Sequence, residues 1–485
     1  MNILFTHSYF YPLDNKQWKK QQPYPPLGTI TAAAFLREQG HHVALFDTNL
    51  ILNPALIEPQ LNNQKPDILV IYDDGFNYLT KMCLTVMREA AFEMIRLAKK
   101  KGILVAVSSS DATDHNRLYI EAGADFILLG EAENTLLELC DKLEAGKDPS
   151  VVSGMVLKQN LTFIVPAKRP VMKKLDRIPM AAWDLVDMAA YKKIWMKGNG
   201  YFSLNLATTR GCPFKCNWCA KPIYGNRYNS RSPEHVVAEI KYLLKNYQPT
   251  HFWMCDDIFG LKPGWVQEFN KLVHENKLKF KYTIQSRVDL LLKEDTIDAL
   301  AQSGAHEIWV GAESGSQKVL DAMDKGTTVE QIKEATHLLK KKGVRVAYFL
   351  QFGYPGETKE DIQLTTEMVL EMMPDNIGVS VSYPLPGTPF HERVKSELNE
   401  KANWKDSDDL DLMFKNTYSN EYYRKLQRYL HRMLRKKQGK LNAQKAIKNP
   451  KKLKLPEFRS IALYPYYQLT TRLDERSLAA LETKN

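Results

Sequence analysis

The sequence predicts an α/β fold: a doubly wound Rossmann-like N-terminal domain, a partial (β/α)6 TIM-type barrel, and a helical C-terminal region. Three observations carry this prediction. Short apolar runs alternate with helix-period patterns through residues 1–150. The alternation restarts near residue 200 and continues to about 385. The segment beyond residue 400 shows helical spacing and a concentrated positive charge. The expected organisation is therefore a first domain over 1–150, a connector over 151–197, a barrel over 198–400 and a basic helical region over 401–485.

In the first domain, strand candidates are Ile3–Thr6, Val43–Phe46, Ile68–Tyr72, Ile103–Val107 and Phe126–Leu129. Helical patterns at Thr29–Gln39, Leu79–Lys99 and Asn134–Leu143 lie between or after them. Strand, helix, strand in succession means a parallel sheet covered on both faces, and such sheets bind ligands beyond the C-terminal ends of their strands. In the connector, Val156 and Phe163 flank a turn at Asn160, which predicts a hairpin. The barrel strands are expected at Ser203–Thr208, His251–Met254, Tyr282–Gln285, Glu307–Val310, Val344–Phe352 and Ile377–Val381. Helices such as Glu234–Lys245, Lys293–Ser303 and Val329–Lys342 separate them, and the site of such a barrel lies at its C-terminal strand ends.

Composition narrows the class. With 44% hydrophobic and 25% charged residues in 485, the chain is neither a disordered polymer nor a rod. No apolar run reaches the ~18 residues of a membrane span. The start, MNILFTHSYF, lacks the basic flank and apolar length of a secretory signal, so a cytoplasmic protein is expected. Net charge is +11, yet residues 421–460 alone hold fourteen Lys/Arg and two Glu, a net +12. The body is thus electrically balanced, which argues against nucleic acid as a partner. Residues 421–437 place Tyr422, Leu426, Tyr429, Leu430, Met433 and Leu434 at helical spacing, opposite a basic face. Packing on the barrel is the expected role; peripheral contact with an anionic membrane, or recognition of an acidic substrate, is the alternative.

Six cysteines are present, and three of them, Cys212, Cys216 and Cys219, fall within eight residues spaced C-x3-C-x2-C. They follow the first barrel strand, on a loop at its C-terminal end. Thiolates favour iron–sulfur clusters, zinc or copper(I). A structural zinc site wants a fourth ligand at familiar spacing, and the next cysteine, Cys255, is 36 residues on. Three thiolates leave one iron of a four-iron cluster open. Cys255 itself reads as a loop core residue, or else as a redox or substrate-facing thiol.

CPFKCNWC resembles the CxxxCxxC signature of the radical S-adenosylmethionine superfamily, with Trp218 before the last cysteine. The resemblance implies a 4Fe-4S cluster on Cys212, Cys216 and Cys219 whose open iron binds S-adenosylmethionine, and an electron that releases a 5′-deoxyadenosyl radical. It covers residues 200–390 and assigns Glu313, Ser314 and Arg287 to S-adenosylmethionine, with Gly353 at a later strand end. Asp256 and Asp257, Gly311 and Gly315, Pro355 to Glu357, and Tyr383 to Phe390 occupy other strand ends. Each has a plain reading as a turn or a cap.

YPPLGTITAAAFLREQGHHVALFD, KPDILVIY and AGADFILLGEAE resemble the cobalamin-binding domain that precedes many radical S-adenosylmethionine enzymes. No histidine has an aspartate two residues before it, so the D-x-H-x-x-G cobalt-ligand signature is absent and the axial ligand stays open. Strand-end geometry nominates His7, Ser8 and Tyr9; Asp73, Asp74, Gly75 and Phe76; Ser108, Ser109, Ser110, Asp111 and Thr113; and Gly130 and Glu131. The serines suit a nucleotide tail or its phosphate, or a helix start at Asp111–His115.

The expected function is cobalamin-dependent radical methylation of an unactivated carbon in a small or lipophilic metabolite, fed by an external electron donor of flavodoxin or ferredoxin type. Oxidative cyclisation like that of the anaerobic magnesium-protoporphyrin ester cyclases is the alternative, together with rearrangement. A tRNA methylthiotransferase needs three N-terminal cysteines, whereas only Cys83 and Cys140 lie there. A zinc-stabilised binding protein is the non-enzymatic reading.

Overall fold

The computed structural model describes residues 1–76, 84–159, 162–398, 403–407, 409–448 and 455–482. Cys83, the Asn160 turn and the first residues of the expected Leu79–Lys99 helix lie outside the described residues.

Seven strands build the first sheet: β1 Asn2–Thr6, β2 His42–Phe46, β3 Ile68–Tyr72, β4 Leu104–Ser108, β5 Phe126–Leu128, β6 Met155–Gln159 and β7 Thr162–Ile164. Their order is β2-β1-β3-β4-β5-β6-β7. β1 to β5 pair in parallel, and β6 and β7 add antiparallel. The expected hairpin is therefore an edge of this sheet, which runs past residue 150 to Ile164. β3 is buried along its whole length, ILVIY, as a central parallel strand covered on both faces must be. The helices Leu27–Glu38, Thr85–Lys100 and Glu133–Glu144 supply that cover.

β8 Ser203–Leu206 is followed by two short strands, β9 Thr209–Arg210 and β10 Asn229–Ser230, which pair antiparallel. The first barrel strand thus stops before Thr208, and the chain turns off into β9. β11 His251–Met254, β12 Lys281–Ser286, β13 Ala305–Glu313, β14 Arg345–Phe352 and β15 Asn376–Val381 complete a six-stranded sheet with β8. Its order is β15-β14-β13-β12-β11-β8, parallel throughout. β8 and β15 are its two edges, so the sheet is open.

One apolar core crosses the seam between the sheets. Leu27, Ile30, Ala34 and Phe76 of the first unit pack with Ala182, Trp183, Tyr191 and Trp195 of the connector and with the second sheet. The connector's indoles are also bonded: Trp183 Nε1 donates to Glu239 at 2.9 Å and Trp195 Nε1 to the Pro23 carbonyl at 2.7 Å. Burial of such large side chains contributes about 2–3 kcal/mol each.

The helix Asn420–Lys448 buries Tyr422, Tyr423, Leu426, Leu430 and Leu434 in the same core. The 421–437 pattern therefore covers the second sheet, as its apolar spacing demanded. Among the described residues no helix is long and apolar enough to cross a membrane.

Candidate active site

The C-terminal ends of both sheets converge on residues 208–224. β8 ends in a turn that Asp256 holds. This buried carboxylate accepts from the Thr208 and Thr209 backbone N–H groups at 2.7 Å each and from both hydroxyls, at 2.7 and 3.0 Å. Burial still pushes its pKa up to about 6. Asp256 therefore shapes the entry to the cysteine loop, and its oxygens are occupied.

Cys212, Cys216 and Cys219 are half-buried thiols on that loop, and none is in a disulfide. Burial raises the Cys212 thiol pKa. Asn217 anchors the loop to the C-terminal end of the helix Gln317–Ala322. Its backbone N–H donates to the Met323 carbonyl at 3.1 Å, and its side-chain amide to the Ala322 carbonyl and Asp324 at 2.8 Å each. Tyr354 closes the far side by donating to Asn217 Oδ1 at 2.9 Å. The indole N–H of Trp218 is buried with no acceptor among the described residues, an unmatched donor of the kind that marks a ligand site.

Two cations flank Cys216. Arg287 Nη1 stands 3.9 Å from its sulfur, and the guanidinium stacks 3.8 Å over the Phe214 ring. Its fork is already engaged by Asp289 and by the Lys325 and Gly326 carbonyls. Arg287, which the resemblance assigns to S-adenosylmethionine, thus lies against Cys216 with most of its fork engaged inside the protein. Lys325 donates to Glu313 at 2.7 Å, both buried. Burial lowers the Lys325 pKa, but Glu313 and Cys216 outweigh it, so the net shift is upward.

Glu313 sits at φ +56° at an irregularity in the β13–β14 register. A left-handed glutamate costs about 1–3 kcal/mol and persists where its surroundings hold it. Gly311 makes room for the ion pair, because a Cβ there would lie 2.5 Å from Lys325 Nζ. Ser314 bonds Thr365 and caps the Ser316 N–H. Gly353, at φ +74°, faces Asn416, Tyr423 and Leu412 of the C-terminal region. Both residues hold strand ends in place. Cys255 is buried, with its sulfur 3.4 Å from the Leu206 carbonyl, which matches a core thiol.

At the first sheet, the expected polar contacts are mostly spent inside the protein. Ser8 gives both its backbone and hydroxyl hydrogens to Asp73, at 2.7 and 2.9 Å. Burial pushes Asp73 to about 6. Ser109 caps the helix Ser110–Asp114 through the Ala112 N–H, and the Ser108 carbonyl accepts from the Asp73 N–H. Ser108, Ser109 and Ser110 are all buried. The helix-start reading of this run describes Ser109.

Gly75, Gly130 and Glu131 face the second unit instead. A Cβ on Gly75 would come 3.5 Å from the Tyr224 hydroxyl, and one on Gly130 3.2 Å from the Ile223 carbonyl. Glu131 and Glu133 both bind Arg210, at 2.5 and 2.6 Å, with all three side chains buried. The Arg210 guanidinium also lies 5.3 Å from the Tyr224 ring and 5.9 Å from Phe76. Arg210, Glu133, Lys325 and Ile223 were not singled out from sequence. Of these, Glu133 closes the AGADFILLGEAE segment and Arg210 stands two residues before the first cysteine, the local signals that could have found them.

The donor set suits a multinuclear cluster. Three soft thiols share one loop, the ligand type that iron–sulfur clusters take. An open hollow of about 810 Å³, lined in part by Met1, Lys65, Lys101 and Glu144, lies at the opposite, N-terminal ends of the first sheet's strands. Ligands of parallel sheets gather at the other end.

Residues 206–369 match the model of the radical SAM superfamily. An uncharacterized methyltransferase of Pyrococcus horikoshii is 27% identical, with 81% of this chain and 83% of that protein covered. The anaerobic magnesium-protoporphyrin IX monomethyl ester cyclase of Rubrivivax gelatinosus is 29% identical over 83% of this chain and 72% of its own length. Among solved structures, the radical S-adenosylmethionine methyltransferase TsrM from Kitasatospora setae, with cobalamin and a [4Fe-4S] cluster bound, has the same fold. The TM-score is 0.69 at 17% identity, with 81% of this chain and 74% of that chain covered.

Proposed function

We propose that this chain, whose residues 206–369 match the radical SAM superfamily model, is a radical S-adenosylmethionine enzyme that transfers a methyl group to an unactivated carbon of a small or lipophilic metabolite. One observation carries the reading. The strand-end faces of the two sheets meet at Arg210, Glu131 and Glu133, two residues from Cys212. A methyl carrier on the first sheet and a radical source on the second would then face one shared space.

In this reading the first sheet is a Rossmann-like cobalamin-binding domain, and the second is a partial barrel. Cys212, Cys216 and Cys219 hold the 4Fe-4S cluster, and the chain takes its electron from a flavodoxin or ferredoxin type of donor. The chemistry such groups supply is one-electron cleavage of S-adenosylmethionine at the cluster and methyl carriage at the cobalt. The chain's own part is positioning. Arg287 and Lys325 set positive charge beside Cys216. The Glu313–Lys325 pair borders the same loop, Trp218 stands on it, and Asn217 ties it to the end of the helix Gln317–Ala322. Gly75 and Gly130 let the first sheet's strand ends approach Ile223 and Tyr224 closely. The names of the Pyrococcus and Kitasatospora relatives support methyl transfer.

Anaerobic turnover with methyl-labelled S-adenosylmethionine tests this. Label should appear in product alongside 5′-deoxyadenosine; 5′-deoxyadenosine without label transfer would rule methylation out. The likeness to the Rubrivivax cyclase favours a second reading, oxidative cyclisation, whose mark is water-derived oxygen in the product.

A further inference from the structure

The C-terminal helices carry an apolar surface that the chemistry above does not use. Helix Tyr464–Glu482 buries Thr471, Asp474 and Leu478. Arg432 of the long helix Asn420–Lys448 binds Asp474 at 2.7 Å, which fixes that stripe as the inner face. Tyr466, Leu469 and Leu473, spaced i, i+3, i+7, therefore point away from it, 52%, 63% and 52% exposed. Helix Leu455–Ala462 repeats the pattern. Glu457 and Ser460 bond Lys445 and Asn442 of the long helix, while Leu455 and Phe458 stand 83% and 51% exposed.

Two successive helices thus present large apolar side chains outward, which a soluble surface helix avoids, although Leu478 of the second still packs into the core. Exposed Arg459, Arg472 and Arg476 share these helices, and exposed Lys440 and Lys448 stand on the long helix beside them. The strip 421–460 carries net +12 in a chain whose remainder is near neutral.

We propose that this face seats the enzyme on an anionic lipid bilayer. Leu455, Phe458, Tyr466, Leu469 and Leu473 would enter the headgroup–acyl boundary and the cations would meet lipid phosphates. Apolar insertion and cationic attraction together are the two signals that stable peripheral binding needs. A protein partner matched to five apolar side chains alone would not call for the surrounding positive charge. No described helix crosses a membrane, so the contact is interfacial. The inference rests on this surface and is independent of the reaction catalysed.

Co-sedimentation of the anaerobically purified full chain with vesicles tests it. Binding should be about ten-fold tighter to phosphatidylcholine vesicles containing phosphatidylglycerol than to phosphatidylcholine alone, and should weaken with added salt. Leu469→Glu and Phe458→Glu should each weaken binding about ten-fold, with unchanged melting temperatures because both positions are exposed. Equal binding to the two vesicle types, or binding unaffected by either substitution, would overturn the proposal. So would a concentration-dependent dimer, seen by light scattering, that Leu469→Glu abolishes, since a second copy would then be the occupant.

Discussion

Arg210 Nη2 reaches Glu133 Oε1 at 2.6 Å across the boundary between the two sheets, and both side chains are almost wholly buried. With Glu131 this makes two carboxylates on one guanidinium, close to the first cysteine. Removing one member of a buried ionic group leaves uncompensated charge, at about 3–5 kcal/mol. Arg210→Met should therefore destabilise the protein by about that much in urea unfolding. The triple variant Arg210→Met, Glu131→Gln, Glu133→Gln should regain most of it, because neutral replacements leave no buried charge.

Cys216→Ala removes the thiol beside Arg287 and Lys325. Iron bound after anaerobic reconstitution should fall steeply and cleavage of S-adenosylmethionine should cease. Far-UV circular dichroism should stay near that of the parent, since the cysteine is half-buried on a loop. Persistent cleavage would contradict the cluster assignment.

Asp256→Ala leaves two backbone N–H groups and two hydroxyls at Thr208 and Thr209 without their acceptor in a buried site. A loss of about 3 kcal/mol is expected, read from the denaturation midpoint. Iron retention should drop as well, because the cysteine loop departs from this turn.

Glu357 accepts from the Gly353 N–H at 2.7 Å, and its other oxygen is buried without a donor among the described residues. Burial pushes its pKa up to about 8, from an ordinary 4.5. The folded state then holds a proton that the unfolded chain has released, so stability falls as pH rises from about 4.5 to about 8 and levels above that. Glu357→Gln cannot titrate. Its melting temperature relative to the parent should rise between pH 5 and pH 8, roughly following that titration. A difference independent of pH would show that Glu357 is ionised in the fold.

Much of the architecture was legible because its signals are local. β3 reads ILVIY, the helix Asn420–Lys448 repeats apolar residues at 3.6-residue spacing, and the cysteines stand in one octapeptide. Ser109 was legible as a helix cap, although a ligand role was also in view. The hairpin was readable as a hairpin; its attachment to β5 was not, since the pairing of Phe126 with Leu157 joins residues far apart in the chain.

Periodicity and cysteine spacing by themselves determined the two alternating units, the thiol loop and the amphipathic C-terminal helix, since each depends on residues within one or two turns of one another. Only the folded chain decided which polar groups are free and which are consumed. Arg287 is locked by carbonyls of residues 325 and 326, Ser8 by Asp73, and Arg210 by acids almost eighty residues upstream. A buried charge takes the partner that the packing of distant strands brings within about 3 Å, and no local pattern encodes that choice.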